Sequence, residues 1–298
     1  LRTALSSIAS PGRRLREAAG QGTLAIPGAF NAAVARLAER QGFPAIYLSG
    51  AAFSASVFAL PDIGLFTLTE LAQQTAQLTR ACVLPLIVDA DTGFGEAVNV
   101  ERTVVELEAA GAAAIQLEDQ RLPKRCGHLS GKSLVEPAEM CAKLRAAVAA
   151  RRDADLVILA RTDARGVTNF QDAVDRALAY VEAGADWIFP EALVSREEFA
   201  AFAAEVRVPL VANMTEFGKS PLMTLADFRA LGYAGVLFPV TLFRVAMKGV
   251  ERALARIKSE GTQRGLLDQM QTRQELYDLL GYTDYEERDR AYMAPRAK

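Results

Sequence analysis

Short, nearly uninterrupted apolar runs recur along the chain, at 24–26, 45–48, 86–88, 114–117, 156–160, 187–189, 210–212 and 235–238. Strands covered on both faces need such continuous apolarity, as in a parallel sheet wrapped by helices; a half-exposed sheet would alternate instead. Between the runs lie Ala-, Leu- and Glu-rich segments with helical spacing. Val100, Val104, Leu107 and Ala110 mark one apolar stripe, and Ala173, Val174, Ala177, Leu178 and Val181 another, each placed to lie on the sheet. Gly42, Gly111, Gly184 and Gly232 close four of these segments just before the next run, where a left-handed helix cap favours glycine. Eight strand–helix units predict an α/β chain folded as a closed (β/α)8 TIM-type barrel. The alternative, an open doubly wound sheet, usually carries a G-x-G-x-x-G turn after its first strand, and none is present there. The barrel is expected over 1–245. Residues 246–298 read as one long helix and a polar helical tail, an extension packed on the barrel or on a neighbouring subunit.

Charge and composition narrow the partners. With 34 Lys and Arg against 36 Asp and Glu, the formal charge of -2 argues against a nucleic-acid binder that tracks phosphates. At 51% hydrophobic and 23% charged residues the chain is too apolar to be disordered. No apolar run approaches the roughly 18 residues of a membrane span, so no membrane partner is expected. Three cysteines make no disulfide framework, which points to a reducing, cytoplasmic compartment. The first sixteen residues hold Arg2, Arg13, Arg14 and Arg16 without an acid, a pattern that a basic amphipathic arm explains as well as a transit peptide does.

Active sites of such barrels lie at the carboxyl ends of the strands, and here those ends are chemically rich. They carry Tyr47, Ser49 and Gly50; Asp89 and Asp91; Glu118 and Asp119; Arg161 and Asp163; Glu191; and Asn213 with Thr215. Acids, an arginine and small polar groups on one rim suit an anionic, oxygen-rich ligand together with a hard divalent cation. Asp89-Ala90-Asp91 alone could be a turn or a helix cap, but Glu118 on the next strand supplies a third carboxylate. Lys124-Arg125-Cys126-Gly127-His128 sets a thiol among cations, which favours a proton donor or nucleophile. Cys82, within an apolar run, and Cys141, on a helix, read as small hydrophobes. Zinc is disfavoured because His128 is the sole histidine. A serine hydrolase is disfavoured because no G-x-S-x-G occurs. Arg161, Arg244 and Arg273 could each grip a carboxylate with two parallel hydrogen bonds, or serve as surface ion pairs.

Several stretches carry a family likeness: AIYLSG at 45–50, VDADTGFG at 88–95, LED at 117–119, KRCGH at 124–128, ARTD at 160–163, FPE at 189–191, NMTEFG at 213–218, EGTQ at 260–263 and MQTRQELY at 270–277. Through them the whole chain resembles the isocitrate lyase and phosphoenolpyruvate mutase superfamily, and within it the bacterial 2-methylisocitrate lyases. The resemblance implies Mg2+-dependent retro-aldol cleavage of (2R,3S)-2-methylisocitrate into pyruvate and succinate, a step of the methylcitrate cycle of propionate catabolism. It implies Mg2+, with Mn2+ as an alternative, at Asp89, Asp91 and Glu118. It places Ser49, Gly50, Ala51, Cys126, Gly127, Arg161, Glu191, Asn213, Met214, Thr215, Arg244 and Arg273 around a di- or tricarboxylate substrate. Cys126 is the implied acid and Tyr47 a candidate base, with Arg161, His128 and Asn213 stabilising the charge that develops on succinate. Phe189, Leu237 and Pro239, where isocitrate lyases tend to carry Trp, Phe and Thr, leave room for the extra methyl group. One methylene in an apolar pocket decides only about 1–3 kcal/mol, so residual isocitrate cleavage is expected. Ala51 and Ser130 depart from the family pattern, with Ala51 able to crowd the substrate or demand another backbone angle, and this keeps a 2,3-dimethylmalate lyase among the alternatives. An oxaloacetate decarboxylase would leave the Cys126 loop without purpose. The loop 124–132 is expected to close over substrate and to stand open or disordered without it. A homotetramer that exchanges a C-terminal helix between subunits is also implied.

Overall fold

The computed structural model describes residues 9–127, 129 and 131–294. All eight expected strands form: β1 (Leu24–Pro27), β2 (Ile46–Leu48), β3 (Leu86–Asp89), β4 (Ala114–Glu118), β5 (Val157–Thr162), β6 (Trp187–Pro190), β7 (Val211–Asn213) and β8 (Gly235–Phe238). Every pairing is parallel. The hydrogen-bonded orders β1-β8-β7 and β2-β3-β4-β5-β6 leave two seams, and single parallel bridges, Gly28 to Tyr47 and Ile188 to Leu210, span them. The sheet therefore closes on itself as a barrel.

Helices alternate with the strands. They are α1 (Pro11–Gly20), α2 (Ala32–Arg40), α3 (Gly50–Phe58), α4 (Leu68–Ala81), α5 (Ala97–Ala109), α6 (Pro137–Ala150), α7 (Ala164–Val167), α8 (Phe170–Glu182), α9 (Arg196–Glu205) and α10 (Leu225–Ala230), followed by α11 (Thr241–Glu260), α12 (Arg273–Leu280) and α13 (Tyr282–Met293). The four cap glycines adopt φ of 75°, 95°, 104° and 80°, the left-handed region in which a side chain is costly. In α8 the buried stripe is Ala173, Val174, Ala177 and Tyr180; Leu178, expected on that stripe, faces solvent.

Strand alternation explains why the runs look continuously apolar. Ala45, Tyr47, Ile87, Ala114, Val157, Leu159, Trp187, Phe189, Val211 and Leu237 fill the barrel interior, whereas Ile46, Leu48, Val88, Ile115, Leu117, Ile158 and Val236 pack in the layer beneath the helices. Leu15 of α1 joins the interior cluster, so α1 serves the barrel core. Arg16 pairs with Asp186 at 2.9 Å, while Arg2 lies outside the described residues.

The chain divides into two compact units, one ending at Phe243 and the next beginning at Arg244, three residues into α11. Within the second unit a 3-10 turn (Arg264–Gln269) separates α11 from α12, and Tyr277 stacks on Tyr282 with ring centroids 4.5 Å apart.

Candidate active site

Residues that point into the barrel are apolar near the strand starts and, on β2 to β7, polar at the strand ends. Strand register sets Asp89 beside Gln116 and Glu118 beside Arg161. Asp89, Asp91 and Glu118 are buried and bring one ligand oxygen each to within 4.8 Å of the others. Asp91 holds φ at 47°, a left-handed angle uncommon outside glycine, in the turn that returns its carboxylate to the cluster. Lys124 Nζ lies 2.7 Å from Asp91 Oδ1 and also pairs with Asp62. The Asp91 contact is an ion pair without hydrogen-bond alignment, and the four carboxylate oxygens of Asp91 and Glu118 are buried with no hydrogen-bond partner. Burial pushes the Asp91 carboxyl up to about 7 against the pull of Lys124, and burial likewise holds Glu118 well above the usual carboxylate range. Three buried carboxylates short of positive charge fit a hard divalent ion, which takes oxygen ligands. Gly50, at the start of α3, donates its N–H to Asp89 Oδ2 at 3.1 Å, and a Cβ there would sit 3.1 Å from Asp91 Oδ1. Backbone can approach the acids this closely only because position 50 has no side chain.

Tyr47 donates to Gln116 Oε1 at 2.8 Å, and Gln116 Nε2 donates to Asp89 Oδ1 at 2.9 Å. Burial, then the charge of Asp89, raise the phenol well above its ordinary value. Tyr47 therefore keeps its proton in this state, which disfavours it as the group that removes one unless positive charge is added nearby.

Arg161 is gripped by Asp163 through two bonds, Nε to Oδ2 at 2.9 Å and Nη2 to Oδ1 at 3.1 Å. It also lies 3.3 Å from Glu118 Oε2 and 3.5 Å from Glu191 Oε2, with its guanidinium 5.3 Å from the centroid of the Phe189 ring. Burial opposes its charge, but Asp163, Glu118 and Glu191 outweigh that and keep it cationic. Asn213 Nδ2 donates to Glu191 Oε2 at 3.1 Å.

The thiol-bearing loop leaves β4 through a narrow neck. Gln120 bridges Leu134 antiparallel, and Arg121 N donates to Ser133 O at 2.8 Å. Its tip is folded in over the acids, where a Cβ on Gly127 would lie 2.5 Å from both Arg161 Nη2 and Glu191 Cδ. The loop was expected to be open or disordered without substrate, whereas Lys124, Gly127 and Lys132 are packed in. Two lysines of the loop explain the difference, because Lys124 is buried against Asp62 and Asp91 and Lys132 lies 2.6 Å from Asp163.

Ser49 caps α3, accepting from Ala52 N at 3.4 Å. Ala51 sits in the first helical turn with no left-handed angle, so its departure from glycine imposes no backbone strain. Cys126 is half-buried and in no disulfide, and His128 falls outside the described residues. Phe189 and Leu237 line the barrel interior, and Pro239 is buried just past β8. Thr215 is half-buried beyond β7. Met214 corrects an expectation: strand alternation sends its side chain into the outer core, where its sulfur accepts from Met223 N at 3.4 Å, so that side chain does not face the site. Asp119 turns away for the same reason and takes bonds from Thr162, Tyr180 and the Asp163 N–H, with burial raising its carboxyl to about 6. Arg244, on α11, and Arg273, opening α12, belong to the second unit. Asp62, Gln116, Gln120 and Lys132 were not among the expected site residues, and Asp163 was named at its strand end without a role. Gln116 shares the strand parity of Glu118, a signal that could have found it; Asp62 and the loop residues have no such periodicity.

A closed parallel barrel with buried acids, a clamped arginine and a thiol loop at its carboxyl end defines an enzyme scaffold for a small polyanion. Residues 13–258 match the family model described as phosphoenolpyruvate phosphomutase. The chain belongs to the phosphoenolpyruvate mutase/isocitrate lyase superfamily. It is 60% identical over 280 residues to a 2-methylisocitrate lyase of Aeropyrum pernix, covering 94% of this chain and 90% of that protein. Among solved structures, a 2,3-dimethylmalate lyase superposes with a TM-score of 0.90 at 32% identity, over 96% of this chain and 97% of that one. A phosphonopyruvate hydrolase in complex with oxalate and Mg2+ superposes with a TM-score of 0.84 at 36% identity, over 97% and 100%.

Proposed function

We propose that this protein is a carbon–carbon lyase that cleaves 2-methylisocitrate into pyruvate and succinate with Mg2+, or Mn2+ in its place. The observation that carries the proposal is the Cys126 loop folded over Arg161 and Glu191 beside the buried Asp89, Asp91 and Glu118 cluster, in a chain 60% identical to a named 2-methylisocitrate lyase. Asp89, Asp91 and Glu118 would hold the cation, which when bound supplies positive charge to the substrate oxygens as the carbon–carbon bond breaks. Arg161, fixed by Asp163 and the Phe189 face, is oriented to take a substrate carboxylate. Cleavage turns the hydroxyl-bearing carbon into the keto group of pyruvate and leaves the bonding electron pair on the succinate fragment. The Cys126 thiol then delivers a proton to the succinate carbon from which the bond was broken. Tyr47 is placed to take the hydroxyl proton only where added positive charge draws its pKa down. Phe189, Leu237 and Pro239 give an apolar wall for the methyl group. Gly127 closes against Arg161 and excludes water from the reacting carbons.

A cytoplasmic homotetramer with exchanged C-terminal helices accords with two observations. No described helix is long and apolar enough to cross a membrane, and the second unit exposes Val245, Leu254, Leu276 and Tyr285. Incubation with 2-methylisocitrate, isocitrate and 2,3-dimethylmalate, each with Mg2+ or excess EDTA, tests the activity by product mass. Mg2+-dependent pyruvate and succinate from the first substrate are expected. Preferential cleavage of either other substrate, or cleavage unaffected by EDTA, would overturn the proposal.

A further inference from the structure

The residue on each side of Cys126 is held by a buried side chain. On one side, the Gln120 amide forms a two-way pair with the backbone of Arg125: Arg125 N donates to Gln120 Oε1 at 2.9 Å, and Gln120 Nε2 donates to Arg125 O at 2.8 Å. On the other side, Lys132 Nζ donates to the carbonyl of Gly127 and to Asp163 Oδ1, the latter at 2.6 Å. Gln120 is 1% exposed and the Lys132 side chain 0%. Gln120 is itself fixed at the end of β4 by its bridge to Leu134. Asp163, the anchor of Lys132, is the same carboxylate that clamps Arg161.

We infer that Gln120 and Lys132 are positioning residues that set the place of the Cys126 thiol, Gln120 by holding the peptide before it and Lys132 by tying the peptide after it to the carboxylate that aims Arg161. The kinetic part of this inference rests on the proposed lyase reaction. A proton donor on a loop lacks the placement that a strand or helix provides, and productive geometry tolerates only small displacements. Two brackets anchored in the barrel wall restore that placement. An ammonium buried this completely carries a large desolvation penalty unless it is paired, and Lys132 is retained where an apolar side chain would fill the same space. Its two partners are the thiol loop and the arginine clamp, so Gly127 and Asp163 share one ammonium. Thiol position and arginine aim are thereby linked through one carboxylate.

The test uses Lys132→Met and Gln120→Leu in the Mg2+-loaded full-length protein. Iodoacetamide alkylation is followed at each cysteine by peptide mass, with Cys82 and Cys141 as internal references for the folded barrel. Either variant should speed alkylation of Cys126 about tenfold or more, the population shift expected when a hydrogen bond to a charged or buried group is lost, and leave the other two rates unchanged. Turnover of 2-methylisocitrate should show kcat lower by about 100-fold with little change in KM, the signature of a misplaced donor and not of lost binding. Mn2+ affinity should not fall below wild type. Wild-type alkylation of Cys126 in both variants overturns the inference, as does a fall in kcat matched by equal loss of Mn2+ binding. If Lys132→Met fails to fold, Gln120→Leu alone decides. If the wild type does not cleave 2-methylisocitrate, the proposed function fails while the alkylation arm still judges the bracket.

Discussion

A single methyl group at Gly127 tests whether the closed loop is the working form. The backbone angle at 127 is outside the left-handed region, so alanine is conformationally acceptable there. Space is the obstacle: the new Cβ would meet Arg161 Nη2 and the Glu191 Cγ and Cδ atoms at 2.5 Å, against an ordinary carbon contact of about 3.5–4.0 Å. Neither neighbour is a free end. Arg161 is held by two bonds to Asp163, and Glu191 accepts from Ala192 N at 2.9 Å and from Asn213. An overlap of this size costs about 1–3 kcal/mol if the structure absorbs it. The loop can move aside and the barrel cannot, so the strain falls on the closed-to-open ratio of the loop, which should drop about 5–150-fold. Steady-state turnover of 2-methylisocitrate by Gly127→Ala should lose kcat by up to that range, while the melting temperature stays at the wild-type value and Mn2+ affinity does not fall. Wild-type kcat in Gly127→Ala would refute the reasoning, since the loop would then have to act from a position away from Arg161 and Glu191.

Three further substitutions probe the electrostatics. Lys124→Met removes the ammonium that competes for Asp91, so Mn2+ measured by equilibrium dialysis should bind more tightly, by about tenfold; weaker binding would mean that Lys124 supports the ion. Glu118→Gln should weaken Mn2+ binding yet stabilise the metal-free protein above pH 5: a carboxyl whose folded pKa is raised contributes less stability as pH rises past its unfolded value of about 4.3, and glutamine removes that loss. Equal urea midpoints at pH 7 for the two metal-free proteins would contradict it. Tyr233 donates to Phe199 O at 3.1 Å and burial raises its phenol, so its contribution is complete below the unfolded value of about 10 and is lost as pH climbs beyond it. Tyr233→Phe should therefore be less stable by about 1 kcal/mol at pH 7 but lose stability less steeply above pH 10 in urea titrations, and parallel curves would exclude this role.

The barrel was legible because its signals are local and repeated: each strand is a short apolar run, and each of four helices ends in a glycine that the structure holds at positive φ. The acids were legible for the same reason, since a polar residue closing a buried run has few other uses. Two physical effects hid the rest. Strand parity separates Asp119 from Glu118 and Met214 from Asn213, although neighbours in sequence look equally placed at a strand end. Long-range pairing hid Asp62 and Lys132, whose partners lie 62 and 31 residues away, so no periodicity marks them. The expectation of an open or disordered loop failed for that reason: the sequence shows Lys124 and Lys132 as loop cations but not the carboxylates that bury them.

Those lysines also bear on the order in which ligands enter. Among the described residues Asp62, Asp91, Glu118, Asp163 and Glu191 pair with Lys124, Lys132 and Arg161, and two of these three cations arrive with the loop. When the loop lifts to admit substrate, Asp91 and Asp163 lose those partners, and buried carboxylates without counter-charge are costly. A tricarboxylate entering that opening meets acids whose field repels it. Bound divalent charge at Asp89, Asp91 and Glu118 reverses the local sign, so the cation should precede the substrate. Succinate with pyruvate should therefore shield Cys126 from iodoacetamide in Mg2+ and give no protection in excess EDTA. Equal protection in the two conditions would show that Arg161 and the loop lysines alone suffice to hold the carboxylates, and the argument from charge would fall.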